Sequence, residues 1–229
     1  MREIALDTET TGLSYIEGDR IVEIGCVEII DKKITGKSYH VYLNPGREMS
    51  SRAREITGLN DDFLKKQKPF EDECNGFLDF IQDSRLVIHN APFDVGFLNF
   101  ELSRIGLQTI SMYRVLDTLA MAKEKFPGSP STLDALCKRF SVEASKRTKH
   151  GALIDAELLA EVYLHMSVEL KQNNIFGYIK NDDKILSESI RKEHYEPRHF
   201  DFDQNDYEAH LKFLEKIKDS LWTKNDNAD

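Results

Sequence analysis

The stretch IALDTETTGL, residues 4–13, decides how the rest of the chain is interpreted. An apolar run over residues 2–6 predicts a short β-strand, and Gly12 marks a turn. Because alternate side chains of a strand point to one face, Asp7 and Glu9 project together. Adjacent carboxylates repel one another unless a cation lies between them, and Mg²⁺ or Mn²⁺ prefers carboxylate oxygen. The alternative is a pair of solvated carboxylates in a turn. The choice between this and a metal site depends on acidic residues elsewhere in the chain.

The composition limits the class of protein. The 229 residues leave room for one domain and an appendage, and a hydrophobic content of 40% is enough for a core. A net charge of -9 argues against a protein held to nucleic acid by bulk charge alone, but not against a nuclease with bound metals. Three scattered cysteines and the lack of a membrane-spanning apolar run predict a reduced, cytoplasmic protein without membrane contact.

The apolar pattern predicts a layered α/β domain. Residues 21–30 and 39–43 are β-rich, and short connections between three successive strands imply an antiparallel meander. Helices and strands then alternate. Helices are predicted over residues 51–66, 71–82, 93–105, 118–125, 131–140 and 152–166, with strands at 85–88 and near 113–116. This order indicates a mixed five-stranded sheet, its three antiparallel strands first, flanked by helices.

The character of the sequence changes after Met166. Residues 177–206 are polar with few apolar anchors and predict a linker. Apolar residues then recur at helical spacing and predict one amphipathic helix: Tyr207, Leu211, Leu214, Ile217 and Leu221. A lone helix of this length is marginal in water, so we expect it to order only against another surface.

Two later segments add acids and histidines. The segment HNAPFD joins a predicted strand to a helix and places Asp94 in the first helical turn, where the helix dipole alone would favour a carboxylate. The segment HGALIDA contains His150 and Asp155, which would lie on different faces if both were helical. For both to reach one site, His150 has to lie just before the helix, with Gly151 allowing the turn.

Taken together, these segments resemble the three motifs of the DEDDh exonuclease family. The motifs read DTETTG from Asp7, HNAxFD from His89 and HxAxxDA from His150. Further segments are similar to those of the proofreading exonucleases of bacterial replicases: DTLA (117–120), STLDALC (131–137) and SKRTxHGAL (145–153). The resemblance covers residues 1 to about 166 and implies a ribonuclease H-like fold. It also implies a 3′→5′ exonuclease that releases nucleoside 5′-monophosphates from DNA 3′ ends.

The resemblance assigns roles to individual residues. It implies two divalent ions, Mg²⁺ or Mn²⁺, held by four carboxylates: Asp7, Glu9, Asp94 and Asp155. His150 is then the general base. Thr57 lies in a segment similar to the family's loop that presses on the terminal nucleotide, although relatives usually carry His there. Phe93 offers a surface for base stacking or belongs to the core. Substrate binding is expected at Thr57 and Phe93 together with Asp7, Glu9 and Asp155.

Other polar residues near the motifs have structural explanations. We expect His89 to hydrogen-bond within the strand–helix joint, and Asp117 to cap the next helix rather than act as a fifth carboxylate. Residues 138–149 form the most basic local strip and lead into His150. They predict contacts with substrate phosphates, with solvated surface as the alternative.

The sequence predicts four successive regions: an exonuclease domain (1–167), a clamp-binding segment (168–176), a linker (177–198) and a polymerase-binding tail (199–229). Gln172, Ile175 and Phe176 resemble a short peptide that docks in the sliding clamp. Residues 199–222 are similar to the segment that attaches such exonucleases to the polymerase alpha subunit. Two other functions stay open: an RNA 3′-end exoribonuclease of the same fold, and a catalytically idle scaffold between polymerase and clamp.

Overall fold

The computed structural model describes residues 1–144, 149–167 and 203–214. The chain divides into two units, residues 1–178 and 179–229. The described part of the first unit is a sheet with helices on both faces. The described part of the second unit is one helix, which we label α8 (Gln204–Leu214). None of the described helices is both long enough and apolar enough to cross a membrane.

The sheet has five strands. They are β1 (Arg2–Thr10), β2 (Ile21–Ile30), β3 (Lys33–Tyr42), β4 (Arg85–Ile88) and β5 (Val115–Asp117). Their order is β3-β2-β1-β4-β5, with β1, β2 and β3 antiparallel and with β4 and β5 parallel to β1. This arrangement confirms the predicted mixed sheet with its three antiparallel strands first.

Seven α-helices are described in the first unit. They are α1 (Ser51–Thr57), α2 (Asp61–Leu64), α3 (Phe70–Ile81), α4 (Ala91–Arg104), α5 (Thr118–Lys125), α6 (Leu133–Phe140) and α7 (152–167). Apolar side chains of α3 and α4 form one core layer with Ile4 and Leu6 of β1. Those of α5, α6 and α7 form a second layer with Ala5. The two layers cover opposite faces of the sheet because side chains alternate along the strand.

Several predicted bounds need correction. β1 runs on to Thr10 because it stays paired with β2, so both Asp7 and Glu9 lie inside the strand. β3 begins at Lys33, earlier than predicted. The helix predicted over residues 51–66 is two helices, because Gly58 takes a left-handed backbone (φ 74°) that ends α1. The three cysteines are buried free thiols, in line with the predicted reduced state.

Several predictions for the tail lie outside the described residues. These are the clamp-binding segment 168–176, with Gln172, Ile175 and Phe176, the linker 177–198, and the tail except for residues 203–214. Helix α8 begins a few residues before the predicted start at Tyr207. Within it, Tyr207 and Phe213 are exposed.

Candidate active site

The site lies where β1 extends beyond the end of its neighbour β4. Pairing between these strands ends with Ile88 opposite Leu6, whereas β1 continues to its end at residue 10. One edge of β1 therefore has no described strand beside it after Leu6. Asp94 from the first turn of α4 fills this edge. Its Oδ1 accepts the backbone N–H of Thr8 at 3.0 Å and the Thr8 hydroxyl at 2.7 Å. The strand thus fixes the carboxylate through a donor that a longer β4 would have used.

The joint between β4 and α4 is held by the start of α5. Asn90 precedes α4 with a left-handed backbone (φ 69°). Its N–H donates to Asp117 Oδ1 at 3.1 Å, and the same oxygen accepts the N–H of Leu119 at 2.9 Å. Asp117 is therefore the N-cap of α5, as predicted. The Nδ1 atom of His89 lies 3.0 Å from Thr118 Oγ1, which confirms its expected hydrogen bond within the joint.

The carboxyl group of Asp94 is electrostatically unusual. Asp94 is 3% exposed. Burial raises the pKa of its carboxyl group to about 7, although hydrogen bonds from Thr8 act to lower that pKa. A buried carboxyl group of this kind gives up its proton readily only when a positive charge lies nearby. A cation bound beside Asp94 would offset this burial and favour the ionised carboxylate.

The segment before α7 contributes a histidine and an acid. His150 lies just ahead of the helix, as predicted, and its backbone N–H donates to Ile56 O at 3.2 Å. Its Nδ1 atom lies 3.1 Å from Asp155 Oδ2. Gly151 does not use a left-handed backbone, and a Cβ there would meet its nearest neighbour at 3.7 Å. The turn that Gly151 was expected to allow therefore does not use glycine's conformational freedom.

A cavity of about 540 Å³ brings the predicted site residues together. Its lining includes Asp7, Glu9, Asp94, His150 and Asp155. Ligand atoms of Glu9, His150 and Asp155 lie within 4.8 Å of one another. Carboxylate oxygens are the ligands that hard divalent cations such as Mg²⁺ and Mn²⁺ prefer. The residues present therefore fit a divalent metal site.

A second cavity of about 390 Å³ adjoins the first and has a mainly apolar wall. The two cavities share Thr8, Glu9 and Phe93, and Leu13 and Ile56 are among the apolar residues that line only the second. Phe93 is half-buried, and its ring packs on that of Phe97 with 5.0 Å between centroids. Phe93 therefore packs against the core and also lines both cavities, and its stacking on a base stays a prediction.

Thr57 lines the second cavity but not the first. It is 7% exposed, and its hydroxyl donates to Ala53 O at 2.9 Å. The same hydroxyl accepts the N–H of Leu59 at 3.1 Å. The polar atom of Thr57 thus closes the end of α1, and only its remaining surface is available to a ligand.

The described part of the basic strip is partly engaged within the protein. Lys149 Nζ donates to Glu55 O at 2.7 Å. The guanidinium of Arg139 lies 4.1 Å from the ring centroid of Phe126. Lys146 and Arg147 lie outside the described residues. Contact between this strip and substrate phosphates stays a prediction.

Two residues of the site were missed in the sequence. Strand alternation indicates that Thr8 points away from the acids, and it gives no hint that Thr8 holds Asp94. Asp134 also lines the larger cavity, from the first turn of α6. An acid in a first helical turn is explained by the helix dipole, so its sequence position carries no separate signal.

Comparisons with known proteins agree with this geometry. A family model described as "Exonuclease" matches residues 4–163. The DNA polymerase III subunit epsilon of Rickettsia prowazekii (strain Madrid E) is 48% identical over 194 residues, which are 83% of this chain and 84% of that protein. The corresponding subunit of Escherichia coli (strain K12) is 46% identical over 173 residues, 72% of this chain and 71% of that protein.

Solved structures show the same fold. Exonuclease X, in complex with 5′ overhanging duplex DNA, is 26% identical with a TM-score of 0.55, over 72% of this chain and 89% of that one. The nuclease domain of 3′hExo, a DEDDh family member bound to rAMP, is 16% identical with a TM-score of 0.63, over 73% of this chain and 92% of that one. The chain belongs to the exonuclease family and, within it, to the epsilon subunits of DNA polymerase III.

Proposed function

We propose that the larger cavity is the active centre of a proofreading 3′→5′ exonuclease that shortens DNA from its 3′ end. One observation carries this assignment: five groups from distant parts of the chain line a single cavity, namely Asp7, Glu9, Asp94, His150 and Asp155. Such convergence has no structural benefit, because like charges brought together destabilise a fold that lacks a cation. It is expected of a centre that binds metal and phosphate.

The four carboxylates would hold two divalent ions, Mg²⁺ or Mn²⁺. When bound, the ions would lower the pKa of the attacking water and offset the charge that develops on the phosphate and the leaving 3′ oxygen. His150 is suited to take the proton of that water, since an imidazole accepts protons at neutral pH. Its Nδ1 contact with Asp155 orients the ring, which leaves Nε2 as the accepting nitrogen.

The adjoining cavity is suited to the last base of the strand. Its wall is mainly apolar, and Phe93 stands where the two cavities meet, within reach of a base placed beside the scissile phosphate. Thr57 would contact the same nucleotide through its methyl side rather than its bonded hydroxyl.

We propose that two segments after the exonuclease domain bind partner proteins. Residues 199–222 would attach the exonuclease to the polymerase alpha subunit, and α8 falls inside this segment. Gln172, Ile175 and Phe176 would bind the sliding clamp. The relatives of this chain are named as subunits of DNA polymerase III, which supports attachment to the polymerase.

The test follows the lengths of the products that the protein forms from labelled oligonucleotides. Single-stranded DNA and RNA oligonucleotides of one sequence, labelled at the 5′ end, are incubated with the full chain and Mg²⁺ or Mn²⁺. We expect DNA to shorten by one nucleotide at a time, and EDTA to stop the reaction. Strands blocked at the 3′ end should resist. Faster shortening of RNA would favour an exoribonuclease, and no shortening of either would favour the idle scaffold.

A further inference from the structure

The first turn of α7 lies directly on strand β2, at a glycine. Gly25 pairs with Asp7 across the antiparallel strands. A Cβ added to Gly25 would lie 2.2 Å from the carbonyl carbon of Ala152 and 2.3 Å from the backbone nitrogen of Leu153. The backbone of Gly25 is not left-handed, so glycine is required here for space and not for conformation. Both obstacles are backbone atoms, which cannot rotate away as a side chain can.

A second residue of β2 lies beside the same segment. Glu23 lies two positions before Gly25 and therefore faces the same side of the sheet, directly opposite Glu9. It is 3% exposed, and its Oε1 lies 2.7 Å from His40 Nε2 on the neighbouring strand β3. Its two carboxylate oxygens lie 3.7 and 3.9 Å from the place where a Cβ of Gly151 would be. A carboxylate beside the start of a helix is favoured by the helix dipole.

Gly25 and Glu23 both lie against the segment that carries two of the site residues. His150 precedes α7 directly, and Asp155 lies in its first turn. The distance between this turn and β2 fixes how far these two groups stand from Asp7 and Glu9 on the next strand. Neither Gly25 nor Glu23 lines the catalytic cavity.

We propose that Gly25 and Glu23 are positioning residues for the exonuclease reaction, which hold the first turn of α7 so that His150 and Asp155 meet the acids of β1. The inference rests on the proposed function, because it assigns the geometry of that same site. Alanine at Gly25 would have to push the turn back by about 1 Å to reach ordinary contact. A displacement of this size in a catalytic group costs on the order of 10²-fold in rate.

The test uses the full chain with Gly25→Ala and, as a milder second variant, Glu23→Gln. Turnover and KM are measured on a single-stranded DNA oligonucleotide, and Mn²⁺ affinity by electron paramagnetic resonance. For Gly25→Ala we expect about 10²-fold lower kcat, KM within about threefold, and weaker Mn²⁺ binding. For Glu23→Gln, which keeps the shape but removes the charge at the helix start, we expect a three- to tenfold lower kcat, the size of a helix-dipole interaction.

Two controls separate positioning from loss of stability. Gly76→Ala adds a Cβ at an exposed site on α3, 3.4 Å from the Tyr39 ring, and should leave kcat unchanged. Phe77→Leu weakens the core layer on the opposite face of the sheet. It should lower the melting temperature without changing Mn²⁺ affinity.

The outcomes are distinct. Wild-type kinetics and Mn²⁺ affinity in Gly25→Ala, or in Glu23→Gln if the first variant does not fold, would overturn the positioning role and leave the proposed function intact. Equal losses in Phe77→Leu and Gly25→Ala would also overturn it, since stability alone would explain them. An inactive wild-type chain that still binds Mn²⁺ tightly would contradict the proposed function itself, and Mn²⁺ affinity would then test the positioning role.

Discussion

The buried carboxyl group of Asp94 makes a prediction that joins stability to activity. Asp94→Asn keeps the size of the side chain and an oxygen that can accept both hydrogen bonds from Thr8. It removes the charge that burial disfavours. We expect the variant to lose nuclease activity, because a metal ligand is gone, and yet to be more stable than the wild type at pH 8 in the absence of metal.

The size of the effect follows from the pKa. In the metal-free folded protein the pKa of Asp94 is about 7, against an ordinary value of 3.8. Between these values the folded state keeps a proton that the unfolded state has lost, so wild-type stability falls as pH rises through this window and is level above it. One unit of pKa corresponds to about 1.4 kcal/mol of folding free energy, so the loss of stability has an upper limit of about 4 kcal/mol. The amide of the Asp94→Asn variant does not titrate, so the variant does not lose this stability.

The assay is urea-induced unfolding followed by circular dichroism in EDTA, at pH 4.5, 6 and 8. We expect wild type and Asp94→Asn to agree within about 1 kcal/mol at pH 4.5 and to differ by about 2 to 4 kcal/mol at pH 8. Asp79→Asn, at an exposed position on α3, is the control and should follow the wild type. Parallel pH profiles for wild type and Asp94→Asn would refute the account of Asp94 as a carboxyl group strained by burial.

Three further predictions address the site and the tail. Asp155→Asn should abolish hydrolysis and weaken Mn²⁺ binding, whereas near-normal turnover on single-stranded DNA would remove Asp155 from the ligand set. His150→Gln should lower kcat by about 10²- to 10⁴-fold while Mn²⁺ binding persists, as expected for loss of a general base; a collapse of Mn²⁺ affinity would instead make His150 a ligand, as its closeness to Glu9 and Asp155 allows. A chain that ends at residue 167 should keep its nuclease activity and lose binding to the polymerase alpha subunit in gel filtration. Full retention of that binding would place the attachment on the exonuclease domain.

What the sequence could predict depended on local rules. The spacing of Asp7 and Glu9 sufficed to put both acids on one face of a strand, and helix geometry sufficed to put His150 ahead of α7. Asp117 was predicted as a cap because capping involves only neighbouring backbone groups. These features depend on a few adjacent residues, which a single sequence contains in full.

Features that depend on distant neighbours could not be predicted. Thr8 holds Asp94 only because β4 stops early, and strand length is set by pairing across the sheet. The burial of Thr57 follows from the break of one predicted helix into two, which a left-handed glycine imposes. Gly25 shows nothing unusual in its own stretch of sequence, since its constraint comes from the backbone of α7.

The convergence of both ends of the domain on one cavity has a consequence during synthesis of the protein. Asp7 leaves the ribosome well before Asp155, which follows only when most of the domain has been made. Contacts so far apart in sequence close late, because the entropy of a long loop has to be overcome first. An unfinished chain therefore holds only part of the ligand set. Hydrolysis of DNA becomes available together with the finished fold.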